Sequence, residues 1–84
     1  MEKKPVGKVS HFFTHISVAV IEVSDTLDVG DTISFEGAST NFQQKVESIQ
    51  IEKKEIPTAK KGQIIGMKTN ERVREGDLVY KIIE

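Results

Sequence analysis

Two histidines, His11 and His15, stand four residues apart, a spacing that on a helix would turn both imidazoles to one side, as in a zinc-binding pair. Their neighbours oppose a helix. Phe12, Phe13, Ile16 and Val18 favour extended or turn backbone, and no third ligand stands out, so exposed loop imidazoles and no metal are expected. A phosphate-binding loop needs a glycine five residues upstream of its Gly-Lys and a Ser or Thr after it. Gly7-Lys8 is followed by Val9 and has no such glycine. The serines lack the Gly-x-Ser-x-Gly elbow of a hydrolytic nucleophile. With no cysteine there is no thiolate, disulfide or Cys-based zinc site. Carboxylate pairs such as Asp25 with Asp28, or Asp31 with Glu36, are equally explained by turn and cap chemistry. The chain therefore reads as non-enzymatic and free of cofactors.

Two patterns suit binding. Phe12-Phe13, flanked by His11 and His15, would fall in a turn between strands, where His11, Phe12 and Phe13 form a stacking rim or anchor a partner. Alternatively, both rings plug the core. Lys45, Lys53-Lys54 and Lys60-Lys61 flank one strand and its following loop, a local positive face for phosphate. Glu47, Glu52 and Glu55 are interleaved, which equally describes a solvated mixed surface.

Eighty-four residues with 37% apolar content allow a single domain with one small core. Twelve Lys and Arg against thirteen Asp and Glu, net -1, exclude the global basic field of a dedicated nucleic-acid binder. The start, Met1-Glu-Lys-Lys-Pro5, is charged and lacks an apolar signal region, and no apolar run approaches the roughly 20 residues of a membrane span. A soluble, cytoplasmic monomer without membrane contact is expected.

The elements that would position these residues are strands. Ile16 to Val23 is a β-branched run with apolar side chains on both faces, as in a central or barrel strand. Val29-Gly-Asp31, Lys61-Gly-Gln63 and Glu75-Gly-Asp77 each precede an apolar stretch, so each glycine is expected to make a positive-φ turn feeding a strand. Phe42 to Lys53 alternates imperfectly, and a bulge near Glu47 and Ser48 would restore its inward face. The result is an all-β chain: residues 1–5 a flexible N-terminus, residues 6–84 a single small closed β-barrel of six to seven mostly antiparallel strands. Its expected core is Val9, Ile16, Val18, Val20, Ile33, Phe35, Val46, Ile51, Ile65, Val79 and Ile82, with Leu27 and Val29 closing one end.

The order Val6-Gly-Lys-Val9, Val18-Ala-Val-Ile21, Leu27-x-Val-Gly-Asp-x-Ile33, Val46-x-Ser-Ile-Gln-Ile51, Ala59-x-x-Gly62-x-x-x-Gly66 and Val73-x-x-Gly-Asp-x-Val79 resembles domain II of translational GTPases such as elongation factor Tu. The likeness runs from about Val6 to Lys81 and implies the closed barrel, without the GTP-binding domain. It further implies a module binding tRNA or ribosomal RNA, or a protein of the translation or RNA-modification machinery. At the pocket that holds the aminoacyl end of tRNA in that family, Gln50 replaces an acidic residue, Lys53 matches a basic one and Ile64 replaces an asparagine. Such barrels are also accessories elsewhere, including the C-terminal part of some collagenase-like peptidases. The binding residues this implies are Lys45, Gln50, Lys53, Lys54 and Lys60, with His11, Phe12 and Phe13 as the rim. The alternative is a protein-docking accessory for a separately encoded enzyme, with no RNA contact.

Overall fold

The computed structural model describes residues 2–83, and all their regular structure is strand. The strands are β1 (Glu2–Phe13), β2 (Val18–Val23), β3 (Leu27–Asp28), β4 (Thr32–Glu36), β5 (Asn41–Lys45), β6 (Ile49–Ile51), β7 (Lys54–Ile56), β8 (Thr58–Ala59), β9 (Ile64–Lys68) and β10 (Leu78–Ile83). Eight form one sheet in the order β5-β4-β10-β1-β2-β9-β6-β7, and β3 pairs with β8 in a separate ribbon.

The three glycine turns are built alike. Gly30, Gly62 and Gly76 have φ of 98°, 91° and 92°, the left-handed backbone that glycine adopts without steric cost. In each, the N–H of the following residue returns to the carbonyl three back: Asp31 to Asp28, Gln63 to Lys60 and Asp77 to Arg74, at 3.1 Å. A side-chain oxygen of that same residue accepts the N–H at the start of the turn, from Asp28, Lys60 and Arg74, at 2.7 to 2.8 Å. Each glycine N–H then donates to a valine carbonyl, of Val46, Val23 or Val9, whose own N–H returns to the residue after the glycine. The residues bracketing each turn, Leu27 and Ile33, Ala59 and Ile65, Val73 and Val79, are all buried. Three copies of one device thus staple three strand ends onto the core.

The closed barrel expected from the sequence is not formed: the sheet has open ends at β5 and β7. The reason lies in the segment read as one bulged strand. It divides into β5 and β6, because Val46 gives its backbone N–H and C=O to the 28–31 turn and leaves the ladder. The short β6 then meets β9 at the single pair Gln50↔Gly66. Splitting of this kind also gives ten strands among the described residues, most of them short, in place of six or seven.

Strand β1 begins at Glu2, not Val6, so residues 2–5 are paired with β10, Glu2 opposite Ile83. The ammonium groups of Lys3 and Lys4 meet the carboxylates of Glu36 and Asp25, both at 2.8 Å, which gives these polar residues a place in the ladder. Register shifts between Pro5 and Gly7 and between Val9 and His11 bend β1 so that it serves β10 with one half and β2 with the other.

Val9, Leu27, Ile33, Phe35, Val46, Ile65 and Val79 are buried, and Phe35 stacks on Phe42 at 5.1 Å between centroids. Strand β2 presents the opposite face from the one expected. Ala19, Ile21 and Val23 are buried, with Ile21 opposite Val9 on one side and Ile65 on the other. Val18, Val20, Ile51 and Ile82 are half-buried, and Ile16 and Val29 are exposed, at 60% and 43%. The residue skipped by the β1 shift, Ser10, exchanges the faces of β1 itself, so that Phe12 and not His11 or Phe13 follows Val9 on the core side, opposite Ala19 of the uninterrupted β2.

Candidate docking surface

The β1–β2 hairpin ends in Thr14–Ser17, closed by an Ile16 N–H donating to the Phe13 carbonyl at 3.3 Å and turned by Ser17 at φ 54°. The Ser17 carbonyl accepts the Thr69 N–H at 2.9 Å, tying the tip to the 69–77 segment. Two apolar side chains stand out from it: Phe13, 46% exposed, and Ile16, 60% exposed.

His11 and Phe13, two apart on a strand, share a face, and their rings meet edge-on at 4.4 Å. His11 Nδ1 lies 3.7 Å from Glu75 Oε2. Phe12 takes the other face and packs partly against the core. It lines a depression of about 210 Å³ with Thr14, Arg72, Val73, Arg74 and Glu75. Arg72 and Arg74 are exposed and have no ion-pair partner among the described residues. Of the expected rim, then, His11 and Phe13 come together on the outside and Phe12 turns to the inside. Sequence reading missed the arginines and placed Ile16 in the core. The Arg72-Val73-Arg74 alternation, one buried residue between two exposed ones, was the available signal.

The lysine set is not assembled into one site. Lys45 ends β5, Lys60 belongs to the turn before β9, and Lys53 and Lys54 sit at the β6–β7 hairpin. Glu52 and Lys53 form its two-residue turn at φ 50° and 67°, the paired left-handed conformation of a tight hairpin. All four lysines are exposed, and among the described residues none makes an ion pair. Gln50 lines a separate depression of about 130 Å³ with Val18, Ser48, Gly66, Met67 and Lys68. The lysines that are paired are others. The Lys4 ammonium, then the Thr26 N–H, hold Asp25 below the usual carboxylate range. Lys3, then the Ser34 hydroxyl, do the same for Glu36. Lys81 meets Asp31 at 3.1 Å. No group of three His, Asp or Glu side chains suited to a metal ion occurs among the described residues.

No family model matches the chain. Over 83 residues, 98% of its length, it is 43% identical to an uncharacterized protease of Methanocaldococcus jannaschii, of which it spans 20%. Over 82 residues it is 38% identical to a collagenase of Porphyromonas gingivalis, of which it spans 23%. The chain thus spans about a fifth of the length of these curated relatives. Among solved structures, the C-terminal domain of a Geobacillus thermoleovorans protein assigned to the U32 peptidases superposes with a TM-score of 0.90 at 23% identity, covering 95% of this chain and 93% of that domain. Its selenomethionine variant superposes with a TM-score of 0.86. These matches overturn the elongation-factor likeness, and with it the RNA-binding role in protein biosynthesis. The turn motifs that suggested it are the three stapling devices of the fold, and they carry no translation function with them. Over nearly its whole length the chain is similar to one part of proteins named as protease or collagenase, and it has the fold of a U32 peptidase C-terminal domain.

Proposed function

We propose that this chain is a protein-docking module serving a peptidase-like enzyme, itself without catalytic residues. The observation that carries the reading is the hairpin tip, where Phe13 and Ile16 project into solvent beside two unpaired arginines. A small core has few large apolar side chains to spare, and aromatic and arginine residues dominate the energetics of protein interfaces. The matches to one fifth of larger protease-named chains support the same use, a small β-module beside a catalytic part. His11, Phe12 and Phe13 then contribute to partner binding, with Arg72 and Arg74 at the rim.

The test is affinity capture of the tagged chain from its own cell extract after RNase treatment, followed by titration with the purified captured protein. A peptidase-like enzyme is expected, bound at least about tenfold more weakly by Phe13→Ala/Ile16→Ser. Recovery of RNA alone, or binding untouched by that double change, would overturn the reading.

A further inference from the structure

The molecule carries a second surface, remote in sequence from the hairpin tip. Val29, Glu47, Ser48, Ile49, Glu55, Ile56 and Pro57 line a groove of about 290 Å³. Three things distinguish it. Its apolar lining includes Val29, which stands 43% exposed at the point of the 28–31 turn, held there by its N–H donating to the Pro57 carbonyl at 3.0 Å. Its only charges are the carboxylates of Glu47 and Glu55, both exposed and without a cation partner among the described residues. Lys45 and Lys54, though close in sequence, do not line it.

The third is the backbone. Strand β7 is an end strand of the sheet. Its pairs with β6 are Ile51↔Lys54, Gln50↔Glu55 and Ile49↔Ile56. The pair closing a two-residue hairpin exchanges hydrogen bonds, and bonded and non-bonded pairs alternate along an antiparallel ladder. Gln50↔Glu55 is therefore the non-bonded pair, and the Glu55 N–H and C=O point away from β6 to the free edge. Gln50 correspondingly points its own groups toward β9, where its partner is Gly66. The free edge is that of Glu55, one donor and one acceptor, since at the next outward position Pro57 has no N–H and gives its carbonyl to Val29. A free edge beside an apolar lining is the arrangement by which extended peptides add to a sheet, the main chain providing affinity and alternate side chains selectivity.

We propose that this groove binds an extended peptide segment presenting alternating apolar and basic side chains, added as a strand along β7. The apolar side chains settle against Val29, Ile56 and Pro57, and the basic ones meet Glu47 and Glu55. The site is independent of the hairpin tip and of the partner that docks there.

The probe is a fluorescein-labelled octapeptide of alternating Val and Lys, titrated by anisotropy into the full chain. Saturable binding is expected, weakened at least about tenfold by Glu47→Gln/Glu55→Gln and lost when alternate peptide nitrogens are methylated. The Glu55 amide should shift in a two-dimensional NMR spectrum on titration, and Phe13→Ala/Ile16→Ser should leave the affinity unchanged. Because Glu47 and Glu55 are exposed, their variants keep the fold, which the same spectrum reports. The proposal is overturned by absence of saturation up to about 1 mM, an affinity too weak for a specific strand-addition site. Equal binding of a Val–Glu octapeptide, or of an all-Lys one, overturns it too.

Discussion

Gln44 joins its side chain to the backbone of Asn70 across the open side of the sheet: its Oε1 accepts the Asn70 N–H at 2.7 Å while its Nε2 donates to the Lys68 carbonyl at 3.0 Å. Gln44 lies on the end strand β5 and Lys68 closes β9, two strands that share no ladder. One buried amide does here what a row of backbone bonds would do in a closed barrel.

Gln44→Leu keeps roughly the volume and removes both bonds, leaving a backbone donor and an acceptor without their partner. A loss of about 1 to 3 kcal/mol is expected, read as a lower urea midpoint with an unchanged slope. A change below about 0.5 kcal/mol would mean water replaces the amide and the seam is held elsewhere.

Gly37 lies in the β4–β5 turn, where a Cβ would fall on the carboxylate of Asp77. That carboxylate is buried and holds the Arg74 N–H at 2.8 Å, so it cannot move aside without releasing its turn. Gly37→Ala and Asp77→Ala should each cost about 1 to 3 kcal/mol. The double variant should cost clearly less than the sum, because the second change removes what the first collides with. Strict additivity in a double-mutant cycle would refute the contact.

Acid should weaken the fold through Asp25 and Glu36. Both carboxyls are held below their ordinary range, by Lys4 and Lys3 respectively. Groups depressed in the folded state contribute stability that is complete above their unfolded values and lost as pH falls through the folded ones. The urea midpoint is therefore expected to hold from about pH 7 to about pH 5 and then to decline. Asp25→Asn/Glu36→Gln should flatten the difference from the parent in the acid limb, and added salt should shrink it, since both pairs are exposed to solvent. An unchanged acid limb in the double variant would show that other carboxylates carry the transition.

Ile16→Ala and Val29→Ala should change stability by less than about 0.5 kcal/mol, whereas Ile33→Ala should cost about 2 to 5 kcal/mol and Phe35→Ala about 3 to 5. The first pair is exposed and the second fully buried. Thermal and urea unfolding of the four variants decide this, and a large loss at Ile16 would place it in the core after all.

These contrasts show where the sequence was informative. Gly30, Gly62 and Gly76 marked their turns because positive φ is a local requirement of the backbone, and the strands they feed followed. All-β architecture was legible for the same reason. The face of β2 was not, because Ile16, Val18 and Val20 are as apolar as Ala19, Ile21 and Val23, and the choice rests on the pairing of Ile21 with Val9 of β1 and Ile65 of β9, far away in sequence. The open sheet was hidden likewise: it depends on Val46 bonding to a turn fifteen residues away, and on Gln44, a polar residue whose partner is 26 residues distant. Of the candidate surface, His11 and Phe13 were legible as an aromatic cluster. Ile16, Arg72 and Arg74 join them only through the fold.

Strand β1 has one end beside the last described residues of the chain, Glu2 opposite Ile83, and its other end at the Phe13 tip. Twelve residues of strand cover at most about 40 Å, comparable to the longest extent of the molecule, 33 Å. Anything attached at either end therefore leaves from one place, side by side across the β1–β10 ladder, and meets the Phe13 tip only through the whole bent length of β1.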